Sequence, residues 1–219
     1  MIKENLLTIK STLPINVTLV AVSKTKPIAD LMQAYEAGQR IFGENKVQEM
    51  CDKQQEMPSD IEWHMIGHVQ SNKVKYMAPF VSLIHGVDSF KLLEEINKQA
   101  FKNNRVINCL LQVHIAEEDT KFGLDQSELL QLIESDEFEQ LDNICIKGLM
   151  GMATFTDNRE QIKKEFNALK SIFDKVIAID KHPNVQPEIL SMGMSGDYKI
   201  AIACGSTMVR IGSSIFGGR

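Results

Sequence analysis

An apolar run that ends in a lysine stands near the start of the chain: Leu19-Val20-Ala21-Val22-Ser23-Lys24-Thr25-Lys26-Pro27. Read as a strand, it puts Thr18, Val20, Val22 and Lys24 on one face, because successive side chains alternate. A lysine sharing a face with valines is unusual, since lysine is rarely buried without a partner. One chemistry that uses such an amine is covalent: a desolvated lysine forms an imine with an aldehyde or ketone. On the segment alone, the simpler reading of Lys24 is the first solvated residue past a strand. The case for chemistry depends on what the fold brings beside it.

Other residues could join it. Gly212-Ser213-Ser214 and Met192-Gly193-Met194-Ser195-Gly196 could each present backbone N–H groups and serine hydroxyls to an anion. Neither is a Walker loop, since no Gly-Lys-Ser/Thr ends it, and an ordinary tight turn accounts for either one alone. Arg210 shares a strand face with Met208 and Gly212, and a buried arginine calls for a carboxylate, a phosphate or a ring nitrogen lone pair. His64 and His68 have the spacing of helical zinc motifs, but Gly67 and the strand pattern around it argue against a helix, so no zinc is expected. His114 reads either as a satisfied core histidine or as a pocket wall. Cys51, Cys109, Cys145 and Cys204 form no C-x-x-C pair, which points to neither a zinc site nor a disulfide framework.

The 219 residues are 43% apolar and 24% charged, the composition of a globular protein. A net charge of −5 argues against a broad nucleic-acid footprint. Met1-Ile2-Lys3-Glu4-Asn5 has no apolar core of signal-peptide length, and no run approaches a membrane span. A cytoplasmic protein is expected, with no nucleic-acid or membrane partner.

The elements that must position these residues follow one rhythm from residue 17 onward, after a weak helical signal over 3–11. A short apolar run gives way to a turn and then to a helical period. Strands are expected at 17–24, 40–43, 61–67, 81–85, 107–115, 144–150, 188–193 and 207–212. The first helix starts near Pro27, carries Ile28, Leu31, Met32 and Tyr35 on one face and stops at Gly38. Later helices are expected to about 57, over 71–78, after a cap at Asp88 or Ser89, over 125–135, and after Asp157 and Glu160 in capping-box spacing. In the last of these, Ile162, Phe166, Leu169, Phe173 and Val176 keep the helical period. Eight such units imply right-handed crossovers and parallel strands. We expect an α/β fold, a single closed (β/α)8 barrel of TIM type spanning 1–219 as one domain, with a doubly wound open sheet as the rival.

In such barrels the active groups sit at the C-terminal strand ends. Those ends hold Lys24, Glu44, Asn45, His64, Gly67, His68, Asp88, His114, Met152, Ser191, Ser195, Arg210, Gly212 and Ser213, so Lys24 gains company. Barrels also tend to hold phosphate on the loops after strands seven and eight, where both Gly-Ser stretches fall. An imine-forming lysine, a phosphate cup and an interior arginine together suggest pyridoxal 5′-phosphate (PLP). An arginine beside the pyridine nitrogen would keep that nitrogen unprotonated, making the ring a weaker electron sink.

Several long motifs then occur in one order: Ala21-Val22-Ser23-Lys24-Thr25-Lys26-Pro27, Phe42-Gly43-Glu44-Asn45-Lys46-Val47-Gln48-Glu49, Trp63-His64-Met65-Ile66-Gly67-His68-Val69-Gln70-Ser71-Asn72-Lys73, Lys121-Phe122-Gly123, Gly148-Leu149-Met150, Leu190-Ser191-Met192-Gly193-Met194-Ser195 and Gly205-Ser206-Thr207-Met208-Val209-Arg210-Ile211-Gly212. From about residue 17 to the end the chain resembles the pyridoxal phosphate homeostasis (YggS/PROSC) family. The resemblance implies a barrel similar to the N-terminal domain of alanine racemase, with PLP held as an internal aldimine on Lys24. It places Arg210 at the pyridine nitrogen, Gly212, Ser213 and Ser191 or Ser195 at the phosphate, and Asn45 and His64 beside the ring. It implies a cofactor carrier or regulator without catalysis of its own, with PLP-dependent apo-enzymes as candidate recipients. Lys26 and Lys46 are near enough in sequence to bear on cofactor transfer.

Two other functions are open on the residues. A PLP-dependent racemase needs an acid–base group on each face of its substrate; in alanine racemases the second is a tyrosine from a β-rich domain, and of Tyr35, Tyr76 and Tyr198 only Tyr198 could approach the mouth. A lysine-imine aldolase would need no arginine near a pyridine ring. A monomer is expected, since no apolar seam stands out beyond the inferred core.

Overall fold

In the computed structural model the described residues are 1–117, 122–179 and 182–218. The apolar runs form parallel strands β1 (Thr18–Val22), β2 (Ile41–Glu44), β3 (Glu62–Met65), β4 (Leu83–Val87), β5 (Ile107–Gln112), β6 (Ile144–Met150), β7 (Val185–Ser191) and β8 (Met208–Ile211). Each pairs with its sequence neighbours, and β8 returns to β1 from Thr18↔Met208 to Ala21↔Ile211. The sheet is therefore closed, as the alternation of strands and helices implies, and the open-sheet rival falls away.

Helix α1 (Ile2–Thr12) precedes the barrel. Between and after the strands run α2 (Ile28–Glu36), α3 (Val47–Glu56), α4 (Val74–Met77), α5 (Phe90–Lys102), α6 (Gln126–Ile133), α7 (Arg159–Ala178), α8 (Tyr198–Ala203) and α9 (Ser213–Phe216). Strand alternation divides the apolar residues into two cores. Val20, Leu83, Leu110, Met150 and Met208 fill the barrel interior. The larger core lies between sheet and helices, where α7 buries Ile162, Phe166, Leu169, Phe173 and Val176, the face its period predicts.

Departures from the expected boundaries have local causes. The cap of α7 is Asn158, whose side chain accepts from Gln161 N, because Asp157 is turned onto the barrel mouth. Ser89, not Asp88, caps α5. The 71–78 helix is split into a 3-10 turn, Ser71–Lys73, and the short α4. β5 stops at Gln112 because the following loop folds back on it, with Leu124 N donating to Gln112 O and His114 N to Leu124 O. β7 starts at Val185, earlier than expected, with Pro187 inside it. The ladder to β6 jumps from Ile146↔Val185 to Gly148↔Ile189, so Pro187 sits where no ladder hydrogen bond is required. The motif residue Lys121 and the polar run Glu118–Thr120 lie outside the described residues.

Candidate functional site

A cavity of about 460 Å³ opens at the C-terminal end of the barrel. Lys24, Asn45, Ser195, Arg210, Gly212 and Ser213 all line it. Each arrives from a different rule of the fold. Val22 is the last inward residue of β1, and Lys24 stands two residues beyond it, in the turn before α2. Arg210 is inward on β8, two residues above Met208 of the interior core. Gly212 must come close to β1: a Cβ there would meet Val22 O at 3.0 Å and Val22 Cβ at 3.1 Å. Across from it, Ser195 Oγ accepts from Gly212 N at 3.4 Å and from Ser214 N at 3.5 Å. These are long bonds, so the amides and the hydroxyl converge on one point without saturating each other.

His64 and Ser191 do not lie on the cavity wall. They are buried below it, 3% and 0% exposed, in a hydrogen-bonded chain that crosses the barrel. Arg210 Nη1 donates to Ser191 O at 3.0 Å and to Ser191 Oγ at 2.6 Å, and Nη2 donates to Gly151 O at 3.2 Å. Ser191 Oγ is 3.1 Å from His85 Nδ1, and His85 Nε2 is 3.0 Å from His64 Nδ1. A tautomer in which Ser191 donates to His85 Nδ1 and His85 Nε2–H donates to His64 Nδ1 satisfies every contact of the chain while Arg210 occupies a hydroxyl lone pair. Between the two serines left open by the sequence, Ser195 faces the Gly212 turn while Ser191 serves the arginine.

Sequence reasoning places His85 in the fourth strand and gives it no role, because a lone histidine in an apolar run carries no signal of a partner. It also misses the β6–α7 loop: Ala153, Thr154, Phe155 and Thr156 line the cavity. The base of that loop is held by Glu165 of α7, which accepts from Thr154 N at 2.6 Å and Thr154 Oγ1 at 2.7 Å. Burial pushes the Glu165 carboxyl up, but the bonds from Thr154, Gln161 and Glu117 N outweigh it and leave it below the usual range. His114 is half-buried and does not line the cavity. His68 pairs with Asp88 at 3.2 Å and stacks on Phe122, and no group of three or more metal-ligating side chains is present among the described residues.

Burial brings Arg210 down to about 10, with Asp197 countering it. Burial also holds His64 at about 3 and His85 well below its ordinary value, with His64 and the Arg210 charge adding to the effect on His85. Both rings are neutral in the fold. The unfolded chain, with histidines near 6.5, takes up protons that the fold refuses. This part of the stability is complete above about pH 6.5 and is lost as the pH falls below it, at up to about 1.4 kcal/mol per histidine per pH unit. Glu44 opposes it, because burial raises its carboxyl despite the bonds from Lys53 and Ser23. The expected result is a loss of roughly 3 kcal/mol between pH 7 and pH 5, read from urea midpoints. A midpoint that stays level over that window would show that the histidines charge in place.

A closed parallel barrel with a lysine at the end of β1 and an interior arginine on β8 defines a class. The family model described as alanine racemase, N-terminal domain, matches residues 1–219. An alanine racemase of Clostridium difficile shares the fold, with a TM-score of 0.84 at 16% identity over 100% of this chain and 60% of that one. Within the class the relatives are narrower. The chain is 41% identical over 206 residues to the pyridoxal phosphate homeostasis protein of Haemophilus influenzae, covering 93% of this chain and 85% of that one. The protein so named in Aquifex aeolicus is 40% identical over 202 residues, 92% of this chain and 86% of that one. PipY of Synechococcus elongatus with PLP bound superposes with a TM-score of 0.89 at 36% identity, over 99% of this chain and 100% of that one. This chain belongs to the pyridoxal phosphate homeostasis protein family.

Proposed function

We propose that the barrel mouth binds PLP and that the protein serves PLP homeostasis as a carrier or regulator of the cofactor. The observation that carries this reading is the meeting of Lys24, Arg210 and the Ser195–Gly212–Ser213 cup on one cavity. The donor set fits the ligand's three functional groups. The cup offers amide and hydroxyl groups to a phosphate, and a side chain at Gly212 would press on Val22 of β1, whose carbonyl oxygen is 3.0 Å from the Cβ position. Arg210 makes its three hydrogen bonds to neutral acceptors, which leaves its charge to face a ring nitrogen. PLP, when bound, supplies an aldehyde that condenses with an amine, and Lys24 is the amine we assign to it. Asn45 borders the same space. His64 and Ser191 act from below, through the chain that fixes Arg210.

The carrier reading is favoured over a racemase by the tyrosines. Tyr198 Oη lies 3.5 Å from Thr12 Oγ1 of α1, outside the barrel. Tyr35 donates to Asp60, and Tyr76 is exposed beside Lys73 and Lys75. None of the three lines the cavity, which speaks against a racemase that draws its second acid–base group from a tyrosine at this mouth. We place the protein in the cytosol, where its four unpaired cysteines stay reduced, as one barrel domain over the 219 residues, with PLP-dependent apo-enzymes as recipients. No helix among the described residues is long and apolar enough to cross a membrane.

The test is the absorbance spectrum with and without added PLP, followed by borohydride. A yellow protein whose added mass is fixed at one lysine supports the site, and a colourless one overturns it. Chirality loss from common amino acids, measured by polarimetry and abolished in Lys24→Ala, would replace the carrier by a racemase.

A further inference from the structure

Behind the barrel wall, the turn that carries Lys24 is gripped on both sides. Ser23 and Thr25 flank Lys24, and Thr25 has φ +63°. A β-branched residue in the left-handed region is strained and persists only where its surroundings hold it. Here the hold is visible. Lys53 of α3 is buried and spends all three ammonium protons: on Ser23 O at 2.8 Å, Glu44 Oε1 at 2.7 Å and Glu49 Oε1 at 2.8 Å. Ser23 Oγ donates to Glu44 Oε1 at 2.6 Å, and Thr25 N donates to Glu49 Oε1 at 2.6 Å. The carbonyl before Lys24 and the amide after it are thus tied to one buried ion cluster, while Lys24 itself lines the mouth on the other side.

We propose that Ser23, Glu44, Glu49 and Lys53 form a positioning clamp that presents the Lys24 amine to the mouth and so sets how fast that amine is loaded. The proposal rests on the reading of the mouth as a PLP site. Stability alone accounts poorly for the cluster. Glu44 is fully buried, and its Oε2 has no hydrogen-bond partner, an arrangement that works against stability. Buried ion pairs are often replaced by apolar residues of similar volume without loss of stability. What such a replacement cannot reproduce is the grip of Lys53 on Ser23 O and on Glu49, the carboxylate that accepts from Thr25 N.

The positioning residues are tested with Glu44→Leu/Lys53→Met. Its thermal midpoint is expected to stay near that of wild type. Amide exchange at Thr25 and Lys26, measured without cofactor, should speed up about tenfold or more. Loading of Lys24, followed as borohydride-fixed mass after mixing with PLP, should slow at least about tenfold, because the amine is no longer held in place. A double variant that exchanges and loads at wild-type rates overturns the clamp. Should the double variant not fold, Glu49→Ala decides, since it cuts the Thr25 strut and leaves the buried pair. Faster exchange at Thr25, restored by Glu49→Gln, supports the clamp, and unchanged exchange overturns it. If wild type carries no fixed mass at Lys24, the PLP reading of the mouth falls, while Thr25 exchange still decides the clamp.

Discussion

Lys24→Ala is expected to abolish covalent attachment of PLP outright. Among the described residues no other lysine lines the cavity at the mouth, so no second amine there stands ready to take its place. The phosphate cup and Arg210 remain in the variant, and the ligand should still bind, weakly and reversibly. Lys26→Ala is the informative control. Lys26 Nζ donates to Phe216 O at 3.3 Å and to Gly218 O at 2.9 Å, which ties the end of α9 to the Lys24 turn and points its amine away from the mouth. That variant should stay loaded on Lys24 and release the ligand a few-fold faster, because the turn carrying Gly212 and Ser213 loses a brace. Tryptic mapping after borohydride reduction reads both results. A fixed adduct on Lys26, or on any lysine of the Lys24→Ala protein at wild-type yield, would contradict the assignment.

The mouth is legible in the sequence because two simple rules meet there. Period-2 alternation puts Lys24 with Val22 and Arg210 with Met208, and the structure keeps both pairings at the mouth and interior. Eight repeats of strand and helix imply closure, and closure brings the ends of β1 and β8 together without any further signal. What stays hidden is whatever depends on depth or on side chains that meet across elements. Alternation shows that His64 and Ser191 face inward, but not that they sit a layer below the cavity. His85 finds its partners on β3 and β7, which no local window contains. The Glu44–Lys53 pair joins a strand end to a helix behind it, at a spacing with no fixed meaning until the βα turn is built. Capping also resists sequence reading where two candidates adjoin: Asp157 and Asn158 are both good caps, and in the fold Asn158 takes the cap while Asp157 lines the cavity.

Gly148→Ala is expected to be a severely destabilising substitution, far costlier than loss of the Lys24 or Lys26 side chain. Gly148 has φ +146°, a region that side chains rarely adopt, and an added Cβ would lie inside van der Waals contact with the Ile189 carbonyl oxygen and 2.8 Å from its carbon. The obstacle is main chain of the neighbouring strand, so no rotamer change relieves it. The reason lies in the ladder. Lys147 bulges out between Ile146 and Gly148, and past the bulge Gly148 must pair with both Leu110 and Ile189. Moving β6 away from β7 would open the barrel and shift Gly151, whose carbonyl accepts from Arg210. A loss above about 4 kcal/mol follows from backbone overlap at a site with special dihedrals, a large part of the roughly 5–15 kcal/mol typical of a domain. Insoluble expression or a collapsed thermal transition is the expected reading. Gly38→Ala separates dihedral strain from collision: Gly38 has φ +87° and open space around its Cβ direction, so it should lose only about 1–2 kcal/mol. If Gly148→Ala melts within a few degrees of Gly38→Ala, β6 yields at its bulge, and the rigid floor under Arg210 is not what the closed ladder implies.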